Sequence, residues 1–165
     1  MLKKSSNDQK GFTIIEVLIV LAIAGLILLI VFLAVPSLQR NSRNTQRKND
    51  VAAMLSGVSE YVNNNSRSLP ANVGANGAET VVLRSGNSGS GTEVKLGYYD
   101  SAAVTRQQAG SAVVTNNTTA ESVVIVTRAK CNGGDATGSG APSRGYVALY
   151  SVESGSSATK VCQEG

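Results

Sequence analysis

The sequence predicts an α+β protein: a long N-terminal helix, first transmembrane and then amphipathic, packed on a C-terminal antiparallel β-sheet. Three observations carry this expectation. Residues 12–35 are 24 consecutive residues with one charge, Glu16. Val51, Met54, Leu55, Val58, Tyr61 and Val62 then recur at three- and four-residue spacing, the period of one helical face. Beyond residue 66 the chain turns to short runs rich in Val, Thr and Tyr, separated by Gly, Ser and Asn, the pattern of strands and turns.

As a helix, the apolar run would span roughly 36 Å at about 1.5 Å per residue, enough for a bilayer core of about 30 Å. The apolar region of a secretory signal is shorter, about 7–15 residues. The run therefore reads as a retained anchor. Pro36 removes one helical hydrogen bond. A bend is expected there rather than a stop, because the periodic pattern continues beyond it. Arg40, Arg43 and Arg47 repeat with the same period on another face. Gly57 weakens the helix by about 1 kcal/mol relative to Ala without breaking it. Residues 63–66, Asn-Asn-Asn-Ser, and then Pro70 end it.

Residues 66–92 read as a connecting loop in which only 80–83 look strand-like. Strands are expected at 93–99, 111–115, 121–129, 145–152 and 159–162. The gaps between them are too short for crossover helices, so antiparallel pairing is the simplest connection. One apolar sheet face would pack on the amphipathic face of the helix. The Gly- and Ser-rich stretches at 132–143 and 154–157 read as turns. Nothing matches a P-loop or a dinucleotide fingerprint.

Composition narrows the function. The 165 residues are 42% hydrophobic and 16% charged, with net charge +4. Lys3, Lys4 and Lys10 precede the apolar run, and Arg40, Arg43, Arg47 and Lys48 follow it. Both clusters read as flanks of a membrane segment, and the later positive charges look few and scattered. No aromatic residues interleave the basic cluster, so no direct nucleic-acid site is expected. The chain has no His, which removes the commonest general base and the triads built on it. Two cysteines cannot form a four-thiolate zinc site. No catalytic residue, metal or cofactor is expected, and the chain does not read as an enzyme.

The informative residues are Lys10-Gly11-Phe12-Thr13-Ile14-Ile15-Glu16. A charged segment, a Gly, an aromatic residue and then a glutamate inside an apolar helix resemble the N-terminus of the type IV prepilin family, which includes major pilins, minor pilins and secretion pseudopilins. The resemblance is specific over residues 10–35 and weaker to Pro70. It implies cleavage between Gly11 and Phe12 by a membrane prepilin peptidase, N-methylation of Phe12, and a role for Glu16 in docking new subunits. Gly25 falls where such helices often carry a small residue. Leu33 departs from the pattern, since the family often has proline there. The implied division is a leader peptide at 1–11, a transmembrane and filament-core helix at 12–35, its amphipathic continuation at 36–65, and a β-rich head at 66–165.

The residues support the resemblance on physical grounds. A carboxylate deep in a membrane helix costs about 3 kcal/mol on insertion scales and calls for a partner. Cleavage would create one, the Phe12 amine, one turn away within a chain or supplied by a neighbour. Alternatively, Glu16 snorkels to the interface without a role. An all-apolar helix is stable in lipid and equally in a bundle of identical helices. The implied partners are copies of the chain in a helical filament, the pilus assembly machinery and the membrane. The chain would cross the inner membrane once, with its C-terminal domain outside, before joining an extracellular pilus; adhesion, motility and DNA uptake all stay open as its role.

In this family a C-terminal disulfide loop is often exposed. Cys131 and Cys162 could form one, and an even count in an exported domain favours pairing over two free thiols. Charge counting runs against this sidedness, because four basic residues follow the span and three precede it. The alternatives are a type II secretion pseudopilin or minor pilin, and an anchored binding domain that never assembles. A sortase-linked pilin is poorly supported, since residues 69–73 lack the required Thr-Gly. Residues 64–66 and 116–118 are nominal glycosylation sequons.

Overall fold

The computed structural model describes residues 11–86 and 91–165. The chain divides into two compact units, residues 1–39 and 40–165. Helix α1, Ile14–Asn64, runs through Pro36 without stopping and contributes to both. Its amphipathic half therefore belongs to the unit that holds the sheets.

In the first unit the apolar residues of α1 are exposed from Ile14 to Leu38. The candidate membrane window has none of its residues buried. This separates it from a soluble core helix, which would bury at least one face.

Among the described residues of the second unit, ten strands form three sheets. β1 (Asn72–Ala75), β2 (Thr80–Arg84) and β3 (Thr92–Lys95) form an antiparallel sheet in that order. β4 (Val104–Gln108), β6 (Val123–Thr127), β9 (Tyr146–Ser154) and β10 (Ser157–Glu164) form a four-stranded sheet in the order β10-β9-β6-β4. β5 (Val113–Val114), β7 (Lys130–Asn132) and β8 (Asp135–Thr137) form a small antiparallel sheet with β8 central.

The antiparallel expectation holds for every pair except β4 and β6, which run parallel. Fourteen residues separate them, and they contain β5 rather than a helix.

The four-stranded sheet is covered on both faces, and its residues alternate accordingly. Val123, Ile125, Ala148 and Tyr150 join Val51, Met54, Leu55, Val58 and Tyr61 of α1 in one core. Val126, Val147 and Leu149 face a second core with Ala109, Ala129 and Ala136. The unbroken run Val-Val-Ile-Val of β6 fits a strand buried on both sides. The covering layer comes from β5, β8 and β7, so part of the 132–143 stretch expected to be turns is strand. Cys131 on β7 and Cys162 on β10 are joined by a disulfide. Closing a loop of that length stabilises a fold by roughly 3.7 kcal/mol in the chain-entropy account.

Three further expectations are corrected. The strand expected over 93–99 ends at Lys95, because the N–H groups of Gly97, Tyr98 and Tyr99 turn onto the Asp50 carboxylate at 2.8, 2.8 and 3.0 Å. The residue 66–92 loop contains β1 as well as β2. The sequon at 116–118 is closed: Asn116 is fully buried, its amide nitrogen within 3.2 Å of the Gly134, Tyr150 and Val161 carbonyls.

The three arginines of the basic cluster after the apolar run are engaged within the chain, while Lys48 is exposed. Arg43 makes a two-pronged contact with Glu153, from Nε at 3.1 Å and Nη2 at 2.6 Å. Arg47, almost fully buried, reaches Glu153 at 2.7 Å and the Tyr98 hydroxyl at 2.6 Å, with its guanidinium 4.6 Å from the Tyr98 ring centroid. The Asn44 amide pairs with the Glu153 backbone, donating to its carbonyl at 2.8 Å and accepting from its N–H at 2.9 Å. Arg40 donates to the Gly155 carbonyl in the β9–β10 turn. Four polar residues of one helix thus grip one hairpin.

Gly57 of α1 lies against Val94 of β3. A Cβ there would lie 2.2 Å from Cγ2 of Val94, a stiff, buried side chain. Gly57→Ala gains about 1 kcal/mol of helix propensity but overpacks the contact by about 1–3 kcal/mol. The expected outcome is a lower melting temperature, read by circular dichroism in detergent, and partial recovery on adding Val94→Ala.

Hydrogen bonds from Arg43 and then Arg47 hold the Glu153 carboxyl at about 2, below its ordinary 4.5. A folded value below the unfolded one means the stabilisation is present above the unfolded value and lost as pH falls through the folded one. The melting temperature should therefore fall as pH drops from about 4.5 towards about 2. Glu153→Gln should start lower and lose that part of the pH dependence.

Candidate functional site

The site is the entry to α1. Gly11, Phe12 and Thr13 precede the helix, and all are exposed. Thr13 is the N-cap and Glu16 the third helical residue. The Thr13 N–H donates to Glu16 Oε2 at 2.8 Å, and the Thr13 hydroxyl donates to the same oxygen at 2.7 Å. The Glu16 N–H points back to the Thr13 hydroxyl oxygen at 3.4 Å. This reciprocal arrangement is a capping box, which satisfies two of the donors that every helix leaves open at its start.

Sequence reasoning about Glu16 missed Thr13. The signal was present: Thr13-x-x-Glu16 directly before an apolar run. Phe12 and Val17 occupy the two staple positions of such a helix start. Both border a shallow depression with Glu16, Val20 and Leu21, and Phe12 remains 91% exposed.

The chemistry of the site is that of an acceptor. Glu16 Oε2 is occupied by Thr13, while Oε1 has no hydrogen bond among the described residues. The nearby surface is apolar. A Cβ at Gly11 or Gly25 would meet nothing within 4 Å, so neither glycine is required by a contact within the chain. Among the described residues there is no cluster of metal-ligating side chains. The structure brings Gly11, Phe12 and Glu16 together at one helix end. Cys131 and Cys162 lie in the sheet unit. Lys3, Lys4 and Lys10 of the expected leader lie outside the described residues.

Residues 6–32 match the family described as the prokaryotic N-terminal methylation motif. The chain carries the type IV prepilin-type signature. Gly11, Phe12, Glu16 and Gly25 all fall within the matched segment. Neither a curated protein nor a solved structure matches the chain. The signature and the exposed apolar helix fit a type IV pilin-like or pseudopilin protein anchored in a membrane. In such prepilin-type chains the motif implies processing by a peptidase and a structural rather than an enzymatic role.

The capping box gives this prepilin-type helix a defined start. Replacing a Thr cap by a residue without a hydroxyl costs about 0.5–2 kcal/mol. Thr13→Val should speed amide hydrogen exchange at Glu16 by about 2- to 30-fold in micelles, as that free energy implies. Thr13→Ser should leave it nearly unchanged.

Proposed function

We propose that the chain is a structural subunit of a type IV pilus or a related filament. The observation that carries this reading is an exposed apolar helix with a single carboxylate at Glu16, inside the matched methylation motif. A helix without an internal partner needs lipid or other helices around it. Exchanging lipid for identical helices keeps the apolar surface covered while the chain moves from membrane to filament.

In this reading residues 1–11 are a leader removed between Gly11 and Phe12, and the Phe12 amine is then methylated. A methylated secondary amine keeps its positive charge. Glu16 Oε1, left open by Thr13, accepts that amine from a neighbouring subunit during assembly. Residues 12–35 form the filament core, 36–65 continue the helix, and 66–165 form the exposed head. The chain spans the inner membrane once before assembly, with the Cys131–Cys162 domain on the oxidising side. Its partners are further copies of the chain, the prepilin peptidase and the assembly machinery. The filament belongs to the cell surface.

The test is the N-terminal residue of the chain recovered from its native cell surface, read by mass spectrometry. The expected result is a chain starting at Phe12 and heavier by one methyl group at that residue. A chain with Gly11–Phe12 intact would overturn the reading.

A further inference from the structure

The positive charges beyond residue 66 look scattered in sequence, but the fold gathers four of them. Arg67, just past the end of α1, Arg106 on β4, Arg128 after β6 and Arg144 before β9 line one cleft of about 420 Å³. No acidic residue lines it. None of the four makes an ion pair among the described residues, whose salt bridges both belong to Glu153. Ser68, Ser143 and Thr127 line the same space, the Thr127 hydroxyl already donating to the Gln107 carbonyl at 3.3 Å.

One member of the cationic cluster, Arg106, is held in place. It donates to the Ala71 carbonyl at 2.9 Å, to the Thr127 hydroxyl at 2.9 Å and to Gln108 Oε1 at 3.3 Å. Its Nε is buried and has no partner. Burial, and then the charge of Arg128, hold the Arg106 guanidinium below its ordinary value. Like charges are thus set side by side without a counter-charge, an arrangement that an incoming anion relieves.

Two of the four also stand where arginine is disfavoured. Arg67 has φ 64° and Arg128 has φ 57°, the left-handed region that suits glycine. Strain of this kind concentrates at ligand-binding positions.

We propose that this cleft is an oxyanion site that binds a phosphate ester. Guanidinium forks match the oxygens of a phosphate in two-pronged contacts, and the hydroxyls of Ser68 and Ser143 add neutral donors. Four positive charges exceed what a single carboxylate would balance. No aromatic side chain lines the cleft. A bound strand would therefore be held through its backbone phosphates rather than by base stacking. The proposal does not depend on the filament reading.

The test is calorimetric titration of the full-length chain in detergent with inorganic pyrophosphate and, separately, with a short oligothymidylate. The key variant is Arg67→Gly with Arg128→Gly, which removes two charges at positions whose backbone already favours glycine. Circular dichroism should show its fold retained. Arg144→Gln, exposed and without a hydrogen bond among the described residues, provides an independent reading. Lys48→Gln with Lys95→Gln removes equal charge elsewhere. The expected result is saturable pyrophosphate binding, weakened at least about tenfold by the arginine pair and also reduced by Arg144→Gln, but little changed by the lysine pair. Tighter, salt-sensitive binding of the oligothymidylate with the same dependence would assign the phosphate to a strand; pyrophosphate binding alone would assign it to a free ester. Absence of binding to both probes, or equal losses from the arginine and lysine pairs, would overturn the proposal.

Discussion

Glu153 holds the sheet-bearing unit to its helix. Its side chain takes Arg43 and Arg47, and its backbone takes Asn44. One turn further along α1, Asp50 collects three backbone N–H groups of the segment after β3. These polar contacts fix where the helix lies on β9, and the apolar residues from Val51 to Tyr61 then fill the space below. Burying Arg47 and Asp50 would be costly without partners; Asp50 accepts three N–H groups and both terminal nitrogens of Arg47 are engaged, its Nε alone lacking a partner among the described residues. The gain is specificity: an apolar stripe alone could slide along the sheet, but a stripe preceded by a fixed polar grip cannot.

The change of regime along α1 follows from this grip. Up to Leu38 the apolar side chains are exposed, and from Arg40 to Asp50 one polar set, Arg40, Arg43, Asn44, Arg47 and Asp50, is engaged with the sheet unit. The basic residues after the apolar run are therefore explained by the sheet unit as well as by a membrane boundary. This bears on the charge asymmetry around the span. Arg43 and Arg47 are neutralised in part by Glu153, so they weigh less as free positive charges than their number suggests.

The sequence revealed the helix well and the sheets unevenly. The apolar run and the Val51–Val62 periodicity are strong signals, and both correspond to what the helix does. β9 was legible because it is long, and β6 because it is an unbroken run of branched residues. β4, Val-Thr-Arg-Gln-Gln, has too few apolar residues to stand out, and β7 and β8 have three residues each. A three-residue strand has almost no period; its partner across the ladder makes it a strand. The helix entry stands out in the sequence through Gly11, Phe12 and Glu16, and the Thr13-x-x-Glu16 spacing behind its capping box is equally local. The arginine cleft was illegible in principle, since its members are separated by 39, 22 and 16 positions and meet only through the fold.

The disulfide has a mechanical consequence. Cys131 and Cys162 bracket β8 and β9, and Glu153 lies between them. Tension applied to the sheet unit through α1 would reach β9 at Glu153, inside a covalent ring. If β9 were pulled from its neighbours, the slack released would stop at the length of that ring rather than run on through the chain. Reduction would remove this stop without touching a single contact of the helix.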